Sequence, residues 1–271
     1  MQKFTGRSVL VCGVLICAAC GGPSSSSNRW NNWTTLQLEA TAGPLFSGRF
    51  EMNLVGDPEG QRLETRSSAR FMGLTLAQSE SETVFDERTG RTVSYRQSSS
   101  KSGRRFLFGE SGYTVEKLRP PERDDLPLDE WEVKSSKEFP YPREGESDFL
   151  PRDYYGMLLH LRDLDLDAPG DEAAIYVATA GGPKLFNVVV ADSRTTERKY
   201  LDLRTGEEKT ETLKELRLRL TPGDPEVDEG FLDMEGEIEF WVEAESKTPI
   251  EINGKIPKVP GRVKVLLTGM G

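Results

Sequence analysis

From residue 232 to 244 hydrophobic and acidic side chains alternate. Met234, Gly236, Ile238, Phe240 and Val242 fall on one side of a period-two strand, and Asp233, Glu235, Glu237, Glu239 and Glu243 on the other, with Trp241 among the acids. Such alternation predicts a β-strand with one face on a core and one in water. The 3.6-residue period of a helix would scatter the carboxylates round every side. Five like charges on one face need cations on neighbouring strands. Two segments offer them: 213–220, with Arg217 and Arg219 outward, and 262–267, with Arg262 and Lys264 outward.

The same period recurs along the chain. Leu36, Leu38 and Ala40 make a short strand, and Phe46, Gly48, Phe50, Met52 and Leu54 a longer one. Further strands are expected at 63–69, around Leu74 and Leu76, and at 83–86 and 92–97, the last two joined by a Gly90 hairpin. Phe106 and Phe108, then Tyr113 and Val115, form a second hairpin around 109–112, and strand pattern resumes at Trp131 and Val133 after the Pro-rich acidic loop 119–130. Later strands are expected at 175–179, 185–191, 198–203, 213–220, 249–256 and 262–267. Asp-x-Arg-Thr-Gly occurs at 86–90 and at 202–206, read either as one turn chemistry used twice or as a duplicated meander.

Residues 148–164 break the period. Tyr154, Met157, Leu158, Leu161 and Leu164 follow helical spacing, with Asp148 or Asp153 near the start and Pro151 in the first turn. More than ten strands and one helix predict a mainly β fold. It is expected to be a strongly curved antiparallel sheet, a half-barrel or open barrel, with the helix packed on its concave side. Residues 34–271 are read as a single β-rich domain.

The first residues carry different information. Lys3 and Arg7 precede an apolar run at 8–16 that is too short to span a bilayer, and Ala18 and Ala19 follow, so 1–19 reads as a secretory signal peptide. Cys17-Ala18-Ala19-Cys20-Gly21 resembles a bacterial lipobox, with Cys17 where Leu is usual, which makes Cys20 the lipidation site. The rival reading is simple secretion after cleavage at Ala19. The three cysteines are Cys12, Cys17 and Cys20, so a processed chain keeps one thiol at its first residue and no disulfide framework. Residues 20–33 are then a lipidated Cys and flexible tether; Gly21 rather than Asp after the Cys resembles the sorting pattern of double-membrane bacteria, which implies a periplasm-facing place on the outer membrane. Trp30 and Trp33 either pack on the domain edge or dip into headgroups. A formal net charge of -10 over 271 residues gives no footprint for nucleic acid and favours a monomer.

Three stretches together resemble the bacterial envelope proteins of domain of unknown function 3108. They are Arg152-Asp153-Tyr154-Tyr155-Gly156-Met157-Leu158-Leu159-His160-Leu161-Arg162; residues 201–206; and Ile238-Glu239-Phe240-Trp241-Val242 with Thr248-Pro249-Ile250-Glu251-Ile252 and the closing 261–267. The resemblance covers roughly residues 80–268. It implies a curved sheet related to periplasmic lipoprotein carriers, with a concave apolar face, and brings no catalytic residues.

Candidate chemistry is sparse. His160 is the sole histidine and lies off the helical stripe, as an ordinary surface or hydrogen-bonded residue would. With no processed Cys beyond Cys20, a His/Cys zinc site cannot be built. Gly109-Glu110-Ser111-Gly112 misses the nucleophile elbow by one position. Asp163, Asp165 and Asp167 alternate as in a calcium loop, but Ala168 and Ala174 stand where an EF-hand needs Gly and Glu, and the acidic loop 224–229 offers no better. A solvated carboxylate face provides no raised-pKa acid for glycoside hydrolysis. No cofactor, metal or catalytic residue is assigned, and no enzyme is expected.

What remains is the inner face. Phe46, Phe50 and Met52 from the early strands, Phe106 and Phe108 from the second hairpin, and Tyr154 and Leu158 from the helix are candidate ligand-lining residues. Val188, Ile238, Phe240, Val242, Ile250 and Val263 complete the set. A filled core and an apolar pocket read alike in alternation. The pocket reading gives an envelope lipoprotein that binds or shuttles an amphiphile; the filled-core reading gives a structural or docking lipoprotein that uses its acidic face.

Overall fold

The computed structural model describes residues 30, 32–57, 60–86, 89–121, 127–142, 152–223, 234–256, 259 and 261–271. The expected signal peptide, Cys20, the expected tether up to residue 29, Asp148, Pro151 and the loop 224–233 lie outside the described residues. Fourteen strands form one sheet. The first eight are β1 (Thr35–Ala42), β2 (Phe46–Asp57), β3 (Gly60–Phe71), β4 (Leu74–Phe85), β5 (Thr92–Ser99), β6 (Ser102–Phe108), β7 (Gly112–Arg119) and β8 (Glu132–Pro140). The other six are β9 (Glu172–Thr179), β10 (Gly182–Asp202), β11 (Glu207–Pro222), β12 (Glu235–Glu243), β13 (Pro249–Lys255) and β14 (Val263–Met270).

Their order, β8-β7-β6-β5-β4-β3-β2-β1-β14-β13-β12-β11-β10-β9, is that of two meanders. One steps outward from β1 and the other inward to β14, and these two strands pair antiparallel at the centre, Leu38 against Leu267 and Ala40 against Val265. An open twisted sheet this wide must curl. It bends into a partial ring, not a closed barrel, whose edge strands β8 and β9 do not pair. The connection between those edges carries helix α1 (Tyr154–His160). Beside the gap the Tyr113 hydroxyl donates to the Thr179 carbonyl at 2.8 Å, and Ala178 N–H donates to the Arg152 carbonyl at 2.8 Å.

Helix α1 is shorter than its apolar spacing predicts. Asp153 caps it, accepting from the Tyr155 and Gly156 N–H groups, and after a tight turn at Leu161–Asp163 the chain is extended at Leu164. Met157, Leu158 and Leu161 are buried as expected, whereas Tyr155 takes the buried place expected for Tyr154, which is half-buried. The two Asp-x-Arg-Thr-Gly strings do the same job. Asp86 and Asp202 each accept from the N–H of the glycine four residues on, and Gly90 and Gly206 have φ of +63° and +74° at the β4–β5 and β10–β11 turns.

Two expectations are corrected here. Residues 185–191 and 198–203 are not separate strands but one, β10, which runs through the polar stretch 192–198 with a bulge at Ala191. Beyond that bulge Arg194, Thr196, Arg198 and Tyr200 share a face with Leu213 and Glu215. The end of β10 returns to pair Leu201 and Asp202 in parallel with Gly269 and Met270 of β14.

The same feature corrects the acid strand. Ile238, Phe240 and Val242 of β12 are buried, and Glu237 is exposed, but Trp241 is only 8% exposed. The Arg194 guanidinium lies 3.5 Å from its ring centroid. Glu239 and Glu237 meet Arg217 and Arg219 of β11 at 3.5 and 3.3 Å. Strand β14 is not a neighbour of β12, since β13 intervenes. Arg262 still reaches Glu239 at 3.6 Å, while Lys264 pairs with Glu251 at 3.1 Å. Gly236, with φ of +68° and exposed, sits in a register break rather than on the core face.

An ion-pair cluster therefore lies under the far half of the β10–β11 hairpin. The fully buried Glu215 carboxylate accepts from Arg194 at 2.8 Å and from Arg198 at 2.6 Å, and Arg198 also reaches Glu251 at 3.4 Å. Trp30 and Trp33 are buried, not free for headgroups. The Trp30 indole donates to Glu211 at 3.0 Å and packs edge-on to Tyr200, so the folded body includes Trp30.

Candidate functional site

The cross-strand register builds a hollow on the concave side. Ala40 pairs with Gly48, Gly48 with Ala69, and Ala69 with Ala77, so one row across β1, β2, β3 and β4 carries only small residues. The next row reads Leu38, Phe50, Ser67 and Ser79. Gly48 lets the strands pack closely: a Cβ there would stand a tight 3.2 Å from both the Ala40 Cβ and the Ser68 carbonyl oxygen. Small side chains where a curled sheet faces itself leave volume that the helix does not fill.

That volume is about 390 Å³. The small-residue row is its floor, Phe46, Phe50 and Met52 one wall, and Ile252, Val263 and Val265 of β13 and β14 the other. Tyr155 and Leu158 of α1 close one side, the Tyr155 ring stacked on Phe50 at 5.9 Å. The Ser67 and Ser79 hydroxyls hydrogen-bond each other at 2.7 Å, which satisfies them without a ligand. Leu76 and Ala77 are exposed, so the hollow opens beside β4. Leu45, Met72 and Leu74 stand in solvent nearby, the Met72 N–H donating to the Leu45 carbonyl across the two adjoining turns.

Of the thirteen lining candidates, Phe46, Phe50, Met52, Leu158 and Val263 meet at this hollow. Val188, Ile238, Phe240, Val242 and Ile250 are not on its lining; each is at most 2% exposed, in the buried core. Phe106 belongs to a row of rings that fills the concave side of β5–β8, with Tyr95 at 5.2 Å and Tyr113 at 6.2 Å. Phe108 lines a separate open cleft at the β6–β7 turn, and Tyr154 lies outside the hollow. Sequence reasoning missed Ala40, Gly48, Ala69 and Ala77. The available signal was the run of small inward residues Thr65, Ser67 and Ala69 where Leu or Val would fill a core.

The polar groups of α1 anchor it. Asp153 is fully buried, and its carboxylate accepts from Thr83 Oγ1 at 3.1 Å and Thr92 Oγ1 at 3.2 Å besides the two cap N–H groups. Burial pushes its pKa up, against the pull of those four donors. His160 Nδ1 lies 3.2 Å from Asp163, and burial, then Arg152, hold the imidazole below its ordinary value. Asp167 pairs with Lys247 at 2.9 Å and Leu166 is fully buried. Among the described residues no group of three or more His, Cys, Asp or Glu is placed to hold a metal ion.

No family model matches this chain. No curated protein matches it either. A solved structure from Parabacteroides distasonis, titled a “putative lipoprotein”, matches over 89% of this chain and 95% of its own, at 9% identity and a TM-score of 0.29. The resemblance to domain of unknown function 3108 therefore stands on its three sequence stretches alone. They fall on α1, on the β10–β11 turn and on β12–β14.

Proposed function

We propose that this chain is a lipid-anchored protein of the bacterial cell envelope that holds the apolar part of an amphiphile in the concave hollow. The observation that carries the reading is the cross-strand row Ala40, Gly48, Ala69 and Ala77, which keeps open an apolar space of about 390 Å³ with a mouth. That is within the range of small-ligand sites. Burying ten methylenes contributes about 8 kcal/mol gross, enough for useful affinity after ordering costs. Cys20, after the signal-like segment, supplies the anchor, and binding rather than catalysis is the role assigned.

Displacement of a fluorescent fatty acid from the full chain, purified without detergent, tests the reading. Ala69→Trp fills the hollow from its floor and should weaken binding at least tenfold with little change in melting temperature. A wild-type chain that neither co-purifies with acyl chains nor binds the probe would sink the proposal. The anchor is tested separately: Cys20→Ala should move the protein out of the membrane fraction.

A further inference from the structure

On the other side of α1 lies a smaller pocket, of about 150 Å³. Leu54, Phe85 and Leu159 give it apolar walls, and its polar groups are Gln61, Asp86, Arg152, His160, Arg162 and Asp163. Arg152 is the unusual one. It is only 6% exposed, and among the described residues its guanidinium makes no hydrogen bond or ion pair, although its backbone carbonyl ties down β9. The side chain lines the pocket, so its donors are left for whatever enters there. Burial, with Arg91 adding repulsion against the pull of Asp163, brings its pKa down to about 10, so it is still charged at neutral pH.

Neither carboxylate of the pocket hydrogen-bonds or ion-pairs with Arg152, although Asp163 attracts its charge. Asp163 Oδ2 is held by His160, and Asp86 Oδ1 accepts from Thr89 N–H at 2.8 Å and Thr89 Oγ1 at 2.7 Å within its own turn. A second guanidinium, Arg162, stands exposed on the lining, and the neutral His160 ring contributes no like charge at pH 7. A water's share of liquid volume is roughly 30 Å³, so the space suits one tetrahedral or planar oxyanion with its residual water. A guanidinium's fork of donors is matched in geometry to such a group.

We infer that this pocket binds a single oxyanion, a phosphate- or carboxylate-type group, gripped by Arg152 with Arg162 at the rim. The site is separate from the acyl-chain hollow and does not depend on it. The group is either a free anion or the head of a lipid, and the chemistry at Arg152 is the same for both.

The test titrates inorganic phosphate into the full chain against chloride at matched ionic strength, following thermal unfolding and the ³¹P line width. A saturable rise in melting temperature is expected, lost in Arg152→Met and weakened at least tenfold in Arg152→Lys. Without phosphate, Arg152→Met should melt no lower than wild type, because no hydrogen bond or ion pair of the guanidinium is lost with it among the described residues; a purely structural arginine would give the opposite. Monomeric dihexanoyl phosphatidate is the second probe. A response to phosphatidate alone assigns a lipid headgroup, and a response to both assigns any accessible oxyanion. No saturable response to either, or one equal in wild type and Arg152→Met, overturns the inference. Ala69→Trp should keep the phosphate response, so failure of the acyl-chain reading and failure of this one are distinguishable.

Discussion

Removing the Asp153 carboxylate should undo the attachment of α1 to the sheet. In Asp153→Ala the helix loses its cap, a loss of about 1 kcal/mol. The Thr83 and Thr92 hydroxyls are then left buried without their acceptor. At the low end of the usual range, because a hydroxyl can rotate, each costs roughly 1 kcal/mol. The sum is about 3 kcal/mol, or about 10 °C in melting temperature for a domain of this size. Asp153→Asn keeps the Oδ1 acceptor that serves Tyr155 and Gly156 N–H and offers an amide that Thr92 can accept, so it should stay within about 1 kcal/mol of wild type. The two variants also separate with pH. The folded pKa of Asp153 is raised by burial, so the folded wild type takes up this proton at higher pH than the unfolded chain does. Its contribution is fully present below the ordinary carboxylate value, roughly 3.9, and is lost as pH rises through the elevated folded value. Wild type should therefore lose stability relative to Asp153→Asn over that interval. Urea unfolding followed by tryptophan fluorescence from pH 4 to 8 measures both effects. An Asp153→Ala variant as stable as wild type, or a pH-independent difference from Asp153→Asn, would refute the reasoning.

Three further outcomes are expected. Gly156→Ala places a Cβ 2.9 Å from Thr92 Oγ1 and 3.1 Å from the Phe85 ring, and should cost about 1–2 kcal/mol by denaturation despite the better helix propensity of alanine. Glu215→Ala leaves the partly exposed Arg194 and Arg198 with Glu251 as their remaining carboxylate and should cost about 1–3 kcal/mol, with amide exchange rising first at 194–213; Arg219→Ala, which breaks a half-exposed pair with Glu237, should cost under about 1 kcal/mol. Phe240→Arg, at a position with no exposed surface and away from the hollow, should abolish folding by circular dichroism rather than remove binding selectively.

Much of the architecture is legible in side-chain alternation, because each strand has one face on the core. Phe50, Met52 and Val263 are readable as inward from their own strands. Alternation carries no register, however, so nothing local places Ala40, Gly48, Ala69 and Ala77 in one row. For the same reason Ile238 and Phe240, buried away from the hollow, look no different from Phe50 on its lining. Trp241 misleads because its cover comes from the stretch 192–198, whose polar composition hides a strand bonded along its whole length to β11. Tyr154 and Tyr155 exchange roles because the Asp153 cap sets the phase of a helix barely two turns long. The Arg152 pocket is unreadable from sequence, since its walls come from β2, β3, β4 and the helix.

Because the first and last strands form the seam between the two meanders, Leu36 faces Met270 across about 230 residues of intervening chain. Within each meander every strand pairs with its neighbour in sequence, but the joint between the two meanders waits for β14. A nascent polypeptide cannot complete this sheet until β14 has been made, which leaves β1 without its second partner while the strands between them are synthesised. Clipping off β14 would leave β1 and β13 as raw edges at the heart of the molecule, a worse injury than losing either rim strand.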